Sequence, residues 1–321
     1  MREIQITENE AGQRFDKLLG KYLKEAPKSF LYKMLRKKNI TLNGKKATGN
    51  EKLKTGDCVK LFLSDETIEK FSSTFDEYTN VALDIIYEDA NIILINKPVG
   101  MLSQKAKDSD TSLVEHLISY LVNSNQLSKK ELLTFRPSIC NRLDRNTSGI
   151  VAAGKSLIGL QMLSKMFFER DIEKYYVCLV KGHITSPQHI EGWLRKDEKN
   201  NTVEVLDKEQ EGSVQIITEY TPLGYANNVT LLEVHLITGK THQIRAHLAS
   251  IGHPLIGDPK YGDYRVNEFY RKKYHLKGQL LHAKRLVFPI CEEPLKNLSK
   301  KEFVADIPPL FQQIGKDIGV L

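Results

Sequence analysis

An aspartate between two arginines is the feature of this sequence best suited to chemistry. Asp144 has Arg142 two residues before it and Arg145 directly after it, and the polar residues 146–148 then lead into the apolar residues 150–153. This order predicts a loop that places Asp144 at the start of a strand, beside positive charge. A carboxylate in a poorly hydrated site stays ionised when a cation is near, and it can then act as a nucleophile or a base. Because loop aspartates often only stabilise turns, the spacing alone leaves both interpretations open.

A second pattern, from Gly149 to Ser156, satisfies the Gly-x-x-x-x-Gly-Lys-Ser spacing of a phosphate-binding P-loop. A P-loop follows an apolar strand and surrounds phosphate with exposed backbone amides. Here the preceding residues are polar, and the interior of the stretch is Ile-Val-Ala-Ala, which favours burial. We therefore interpret the stretch as part of the core and predict no nucleotide cofactor.

The histidines and cysteines lack the spacing of metal ligands. No carboxylate or thiol completes a set with the histidines, and no two cysteines form a Cys-x-x-Cys pair. We predict structural histidines, reduced thiols and no metal, in a reducing cytoplasm. The residues concerned are His235, His242, His247 and His253, and Cys58, Cys140, Cys178 and Cys291.

The composition predicts two domains, one of them basic. The 321 residues, 40% of them hydrophobic, can bury one large core and a small one. Residues 1–63 hold 15 Lys and Arg against 7 Asp and Glu, an excess that suits a polyanion such as nucleic acid, although a solvated lysine-rich surface explains it equally well. Residues 1–20 lack the apolar stretch of a signal peptide, and no apolar run has the length of a membrane span, so we expect neither export nor insertion.

Residues 1–63 have the pattern of a small α/β unit. Apolar residues at helical spacing predict two short helices, and alternating segments around an Asn-Gly turn predict short strands. The helices are expected near 15–23 and 30–35, and the strands at 40–42 and 59–63.

This unit resembles the S4 RNA-binding domain, whose usual opening is matched by residues 14–19. On the second helix, Lys33, Arg36 and Lys37 have i, i+3, i+4 spacing and would form a basic outward face. The resemblance implies that this face binds RNA. The candidate RNA-binding residues in the unit are Arg14, Lys17, Lys33, Arg36, Lys37 and Lys38.

Residues 64–80 are rich in Ser, Thr, Asp and Glu and predict a linker, so the main domain is expected to cover 81–321. Its strands and helices show no regular β-α alternation, which predicts an α+β fold with a mostly antiparallel sheet. Strands are expected at 92–95, 150–153, 175–180, 214–220, 229–237 and 280–288, and helices at 112–123, 156–170 and 241–251.

Four separated motifs are present in the main domain: Asn96 to Gly100, Arg142 to Gly149, Lys174 to Gly182 and Gly239 to Arg245. Together they resemble the motifs of the RluA-type pseudouridine synthases, which isomerise uridine in RNA. A fifth, weaker match is Leu281-His282-Ala283. The resemblance spans about residues 81–290 and implies the fold of that family, an RNA partner, no cofactor and a monomer.

The resemblance implies roles for individual residues. Asp144 matches the nucleophile, Tyr176 the active-site tyrosine and Arg245 the arginine that keeps the aspartate charged and oriented. Tyr175 would point to the opposite face of a strand, where a structural role is expected. Spacing alone favours Arg245 as a surface cation of the helix predicted at 241–251, and the motif reverses that preference.

Arg142 matches the family arginine that braces RNA after the target nucleotide leaves its stack. Many relatives have His before this arginine, whereas this chain has Asn141, which leaves the role of that side chain open. We expect large-subunit ribosomal RNA as the substrate, with transfer RNA as the second possibility. The competing hypothesis is a protein that only binds RNA, through its N-terminal unit.

Overall fold

The computed structural model describes residues 1–72, 82–197 and 200–321. At the N-terminus, two helices pack on a four-stranded antiparallel sheet of order β1-β4-β2-β3. Phe15, Leu18 and Leu35 lie in the core between them, as expected from their helical spacing. The elements are β1 (Arg2–Gln5), α1 (Phe15–Tyr22), α2 (Lys28–Arg36), β2 (Ile40–Leu42), β3 (Lys45–Lys46) and β4 (Cys58–Leu61).

A third helix, α3 (Asp65–Phe71), corrects the start of the predicted linker at 64–80. Ser64 caps the helix by accepting a hydrogen bond from the backbone N–H of Thr67 at 3.2 Å. Ile68 is buried in the N-terminal core, and the ring of Phe71 lies 4.9 Å from that of Phe30. Two apolar residues three apart were enough to attach a polar segment to the core. Residues 73–80 of the predicted linker lie outside the described residues.

The main domain is built on an eleven-stranded mixed sheet of order β11-β10-β12-β13-β9-β14-β8-β6-β5, with β15 paired to β14 and β7 to β8. Among the described pairs, β8 and β14 run parallel and the others antiparallel, which confirms the predicted α+β class. The elements are β5 (Ile85–Glu88), β6 (Ile92–Lys97), α4 (Leu113–Asn123), β7 (Ser138–Ile139), β8 (Ser148–Gly154), α5 (Leu157–Glu169), β9 (Glu173–Lys181), β10 (Gln188–Asp197), β11 (Thr202–Leu206), β12 (Ser213–Ala226), β13 (Val229–Leu236), α6 (Gln243–Ser250), α7 (Tyr264–Tyr274), β14 (Leu281–Val287), β15 (Glu302–Val304) and α8 (Pro309–Ile318).

Helices cover both faces of this sheet. On one face, Val151, Tyr176 and Cys178 pack in one apolar cluster with residues of α4 and α6, among them Leu117 and Leu248. On the other face, α5 and α8 contribute to separate clusters. The central strands are therefore buried on both sides, which explains why β8 is a continuous apolar run rather than an alternating one.

Gly149 permits the close approach of β8 to its parallel neighbour β14. Its φ is +110°, and a Cβ atom there would lie 2.2 Å from the carbonyl oxygen of Ala283. Only glycine fits this position. Since Gly149 lies five residues after Asp144, this contact sets where the loop carrying Asp144 joins the sheet.

The N-terminal unit contacts the main domain directly. The hydroxyl of Thr134 donates to Glu10 Oε1 at 2.6 Å, and the backbone N–H of Leu157 donates to Asn9 Oδ1 at 3.2 Å. Leu133 also packs against the N-terminal core. Among the described helices, none has the length and apolar character needed to cross a membrane.

Candidate active site

A buried lysine binds the loop that carries Asp144. Lys97, the last residue of β6, is fully buried, and its Nζ donates to the carbonyl oxygens of Met101 at 2.8 Å, Pro98 at 3.1 Å and Arg145 at 3.2 Å. Burial lowers the pKa of Lys97 to about 7, against the opposite effect of the Asp144 charge. The Lys97 side chain therefore joins the turn after β6 to the loop before β8.

Two reciprocal pairs of hydrogen bonds fix the same loop. Gly100 N–H donates to the carbonyl of Arg145 at 2.8 Å, and Arg145 Nε donates back to the carbonyl of Gly100 at 3.0 Å. The hydroxyl of Ser103 accepts from Leu143 N–H at 3.0 Å and donates to the carbonyl of Leu143 at 2.7 Å. Both neighbours of Asp144 are thus held, which limits the movement of its carboxylate.

Arg245, 101 residues further along the chain, places its guanidinium beside Asp144. Its Nη1 donates to Asp144 Oδ2 at 2.7 Å, while Nε and Nη2 donate to Asp258 Oδ2 and Oδ1 at 2.7 and 2.8 Å. The side chains of Asp144, Arg245 and Asp258 are 27%, 5% and 0% exposed. Asp144 therefore lies at the open end of the chain of charges and Asp258 at its buried end.

Asp258 is held in a turn after β13 and α6 that is attached to α7. Its Oδ1 accepts from the backbone N–H groups of Lys260 at 2.8 Å and Tyr261 at 3.1 Å. Asn267 of α7 donates to the carbonyl of Asp258 at 2.8 Å and accepts from Gly257 N–H at 2.7 Å. Burial raises the pKa of Asp258, but Arg245 and these N–H groups lower it by more. The pKa of Asp258 is therefore below its usual value, and the carboxylate stays charged.

The two adjacent tyrosines of β9 lie on opposite faces of the sheet. Tyr176 is buried in the cluster that contains Leu143 and Ile244, the neighbours of Asp144 and Arg245. Burial, with a smaller effect of the Asp144 charge, raises the pKa of Tyr176, and its hydroxyl makes no hydrogen bond to a described residue. The Tyr176 hydroxyl therefore keeps its proton at neutral pH.

Tyr175 belongs to a different surface. Its ring stacks on His235 with 4.6 Å between centroids, the guanidinium carbon of Arg285 lies 3.7 Å from its ring centroid, and its hydroxyl donates to Glu173 at 2.8 Å. These partners account for Tyr175 as a structural residue.

His242 and Tyr261 complete the surroundings of Asp144. His242 Nε2 lies 3.9 Å from Asp144 Oδ2, and its Nδ1 lies 2.9 Å from the Tyr261 hydroxyl. The guanidinium carbon of Arg245 lies 5.3 Å from the centroid of the Tyr261 ring. Tyr261 thus contacts both groups that face the Asp144 carboxylate, the imidazole of His242 and the guanidinium of Arg245.

Arg142 is exposed on the surface beside the site, two residues from Asp144. It forms no hydrogen bond or ion pair with another described residue. The neighbouring Asn141 side chain instead accepts from Ala152 N–H at 2.8 Å and donates to the carbonyl of Ile150 at 3.1 Å. Asn141 therefore stabilises the edge of β8.

The basic candidates of the N-terminal unit lie apart from this site. All six are exposed: Arg14, Lys17, Lys33, Arg36, Lys37 and Lys38. Arg14 differs from the others, because its guanidinium binds Asp16 through two hydrogen bonds of 3.0 and 2.8 Å and Asn50 through one of 2.6 Å.

The other histidines each bind a separate partner. His235 Nδ1 lies 3.0 Å from Glu219 Oε2, His247 Nδ1 lies 3.0 Å from the Thr218 hydroxyl, and His253 Nδ1 lies 2.9 Å from the carbonyl of Lys181. Within residues 1–72, 82–197 and 200–321, no group of three or more His, Cys, Asp and Glu side chains could hold a metal ion.

The stretch with P-loop spacing is largely a strand. From Gly149 to Gly154 it belongs to β8 and pairs with β6, so its backbone amides are used within the sheet. Lys155 binds Glu88 Oε1 at 2.6 Å, and the Ser156 hydroxyl caps α5. This geometry leaves no loop of free amides for phosphate.

The sequence predicted no catalytic role for Asp258, Tyr261 or His242. Lys97 was included there only as part of the motif from Asn96 to Gly100. One signal was present: Asp258 directly follows the apolar residues 254–257 and precedes a proline. A carboxylate next to a buried segment requires a partner, and Arg245 is that partner.

A family model described as RNA pseudouridylate synthase matches residues 91–250. A ribosomal large subunit pseudouridine synthase C of Vibrio vulnificus is 31% identical over 91% of this chain and 90% of its own, and an uncharacterized RNA pseudouridine synthase of Mycoplasma genitalium is 32% identical over 96% and 97%. The solved structure of human RNA pseudouridylate synthase domain containing 4 shares the fold, with a TM-score of 0.58 and 20% identity over 73% of this chain and 92% of that one.

The fold and the sequence relatives together define a class of RNA-modifying isomerases. The chain belongs to the RluA-type RNA pseudouridine synthases. It is an RNA pseudouridine synthase, an enzyme that isomerises uridine in RNA, as predicted from its motifs.

Proposed function

We propose that Asp144 is the nucleophile and that the enzyme modifies uridine in large-subunit ribosomal RNA. The single observation that supports Asp144 most strongly is its ion pair with Arg245, which is itself fixed by the fully buried Asp258. A carboxylate with a permanent cation on one oxygen and solvent access on its other side is charged, oriented and reachable.

The reaction requires cleavage of the bond between uracil N1 and ribose C1′, rotation of the base, and bond formation between C5 and C1′. Asp144 would assist cleavage by attack or by removing a ribose proton. Tyr176, with its ring in the buried cluster and its hydroxyl unpaired, would lie against the base and assist proton loss from C5. Arg142, exposed beside the site, would stack in the space that the extruded nucleotide leaves.

Ribosomal RNA is supported by the relatives of this chain, since proteins named ribosomal large subunit pseudouridine synthase C are about one-third identical over nine-tenths of it. Transfer RNA is the second candidate substrate. A ribosomal substrate would also place the enzyme in the cytoplasm. Action as a monomer and without a cofactor stays a prediction.

The test of Asp144 is its substitution by asparagine, which keeps size and removes charge. We expect Asp144→Asn to abolish conversion of uridine in a ribosomal RNA substrate, measured by mass or radiolabel, while RNA affinity stays within about threefold. The matched control is Asp207→Asn, at an exposed aspartate in the segment between β11 and β12, which should retain full activity. Appreciable conversion by Asp144→Asn would refute the nucleophile.

We further propose that the N-terminal unit binds RNA through the exposed cations of α2. Removing the whole unit would also remove its contacts with the main domain, so replacement of surface charge is the cleaner test. The triple substitution Lys33→Gln, Arg36→Gln and Lys37→Gln should weaken RNA binding and reduce the slope of log K against log salt by about one to three, since each lost phosphate contact removes counterion release.

The control for this test is a set of exposed lysines on the main domain. Substitution of Lys129, Lys296 and Lys301 by glutamine removes the same charge elsewhere. If both triple variants lower affinity and salt slope equally, net charge rather than the α2 surface is responsible.

A further inference from the structure

His242 has an unusual position beside the proposed nucleophile. It precedes α6 with φ at +54°, in the left-handed region that residues other than glycine rarely adopt. Its side chain is 9% exposed, and the ring directs Nε2 toward Asp144. Such a conformation at an active site is a reason to ask what the side chain does there.

Tyr261 is the hydrogen-bond partner of one ring nitrogen of His242. The Tyr261 oxygen accepts a hydrogen bond from Val203 N–H at 2.8 Å, and its other hydrogen-bond partner among the described residues is His242 Nδ1 at 2.9 Å. Burial raises the pKa of Tyr261, so the phenol keeps its proton; with Val203 N–H already on its oxygen, the hydroxyl is placed to donate to Nδ1. Burial also lowers the pKa of His242, and a neutral imidazole that accepts at Nδ1 must carry its hydrogen on Nε2.

An N–H donor and a carboxylate acceptor therefore face each other across a gap. The distance of 3.9 Å between His242 Nε2 and Asp144 Oδ2 is too long for a direct hydrogen bond. It does admit one oxygen atom at about 2.8 Å from both groups. That oxygen must accept from the imidazole and donate to the carboxylate, which is the capacity of a hydroxyl group.

Within an RNA chain, a uridine has one group with this capacity. Its 3′ and 5′ oxygens are esterified, uracil O2 and O4 only accept, and N3–H only donates. The 2′-hydroxyl does both, and it is bonded to the carbon next to C1′, where the glycosidic bond breaks. We propose that His242, with its tautomer set by Tyr261, acts together with Asp144 to bind the 2′-hydroxyl of the target uridine, and so selects ribose over deoxyribose at that position. This inference rests on Asp144 being the active-site carboxylate.

The test uses two RNAs of the same sequence that differ only at the target nucleotide, uridine in one and 2′-deoxyuridine in the other. For each protein, single-turnover kinetics give the half-saturating concentration of the uridine RNA, and competition gives the inhibition constant of the deoxyuridine RNA. We expect His242→Phe to raise the half-saturating concentration about tenfold, the equivalent of one lost hydrogen bond. The inhibition constant of the deoxyuridine RNA should stay within about twofold, because that RNA has no hydroxyl to lose contact with.

Two milder variants protect the test against misfolding. Tyr261→Phe removes one oxygen, so that neither tautomer of His242 is favoured by this residue. It should raise the half-saturating concentration of the uridine RNA about threefold and leave the inhibition constant of the deoxyuridine RNA unchanged. His242→Asn tolerates the left-handed backbone and keeps an N–H donor, so it should retain more selectivity than His242→Phe.

The outcomes separate this inference from the proposed function. If His242→Phe and Tyr261→Phe weaken both RNAs equally, or neither, the two residues are structural and the inference fails, even where Asp144→Asn is inactive. An active Asp144→Asn would instead overturn the nucleophile on which the inference rests.

Discussion

Two arginine–aspartate pairs, one in each region of the molecule, have almost the same geometry and opposite surroundings. In the N-terminal unit, Arg14 binds both oxygens of Asp16 at 3.0 and 2.8 Å, with side chains 48% and 18% exposed. In the main domain, Arg245 binds both oxygens of Asp258 at 2.7 and 2.8 Å, with side chains 5% and 0% exposed. Geometry alone therefore does not distinguish a surface pair from one that supports an active site.

Burial makes the difference. Water can replace either partner of Arg14, so the exposed pair contributes little to stability. Neither Arg245 nor Asp258 can be rehydrated in place, so the loss of one leaves the other as an uncompensated buried charge. The buried pair thereby fixes a guanidinium whose third nitrogen is directed at Asp144.

The largest effect should come from breaking the buried pair. We expect Asp258→Asn to lower the free energy of unfolding by about 3–5 kcal/mol and to reduce turnover strongly, because Arg245 loses its fixed partner. The equivalent change in the exposed pair, Asp16→Asn, should cost less than about 1 kcal/mol. Urea unfolding of both variants checks the contrast, and similar losses in the two would contradict it.

Lys97 tests whether the loop of Asp144 depends on buried donors as well as on the ion pair. Lys97→Met keeps most of the volume but leaves three carbonyl oxygens without their donor. The expected loss of stability is about 3 kcal/mol, together with a fall in turnover, since the loop of Asp144 loses one of its attachments. Thermal unfolding is the measurement, with the exposed Lys129→Met as the control that should stay close to wild type.

A third prediction concerns acid. His282, in β14 beside β8, is fully buried with Nδ1 2.9 Å from the Ser148 hydroxyl, and burial lowers its pKa from 6.5 to about 4. Between these values the unfolded chain binds a proton that the folded protein does not, so stability is lost as pH falls through 6.5 toward 4. The loss between pH 7.5 and pH 5 should be about 2 kcal/mol for this residue.

The control for the acid prediction is His282→Gln, which keeps polar atoms and removes the titration. Its unfolding free energy should fall less steeply than that of wild type over the same pH range. Parallel pH profiles for the two proteins would show that His282 does not contribute the dependence.

The smallest effect is expected at the exposed pair. Arg14→Ala should change the free energy of unfolding by less than about 1 kcal/mol, because water replaces the lost contacts. Its guanidinium is already bound to Asp16 and Asn50, so the loss of RNA affinity should also be smaller than for the triple α2 variant. Equilibrium unfolding and an RNA titration at two salt concentrations check both statements, and a loss as large as that of Asp258→Asn would remove the contrast between the two regions.

Local patterns in the sequence were sufficient for much of the fold. The apolar run of β8, the helical spacing in α1 and α2 and the alternation of Tyr175 and Tyr176 depend on neighbouring residues, and the structure agrees with them. Helices α7 and α8 were not predicted. Helix α7 is polar over most of its length, and only its residues Tyr270 and Tyr274 are buried. The helix at 65–71 was missed for the same reason, because its few apolar residues act only when a core is beside them.

The sequence by itself determined the α+β class, the strand that follows Asp144 and, through its motifs, the family. The tertiary structure alone decided that Asp258 is the buried partner of Arg245 and that the Tyr261 hydroxyl lies against His242 Nδ1. It also placed Arg245 on Asp144 across 101 residues, a contact that the motifs had implied. The physical reason is that propensity and periodicity act over a few neighbouring residues. Burial, ionisation and hydrogen-bond direction depend instead on which distant segments the sheet brings together.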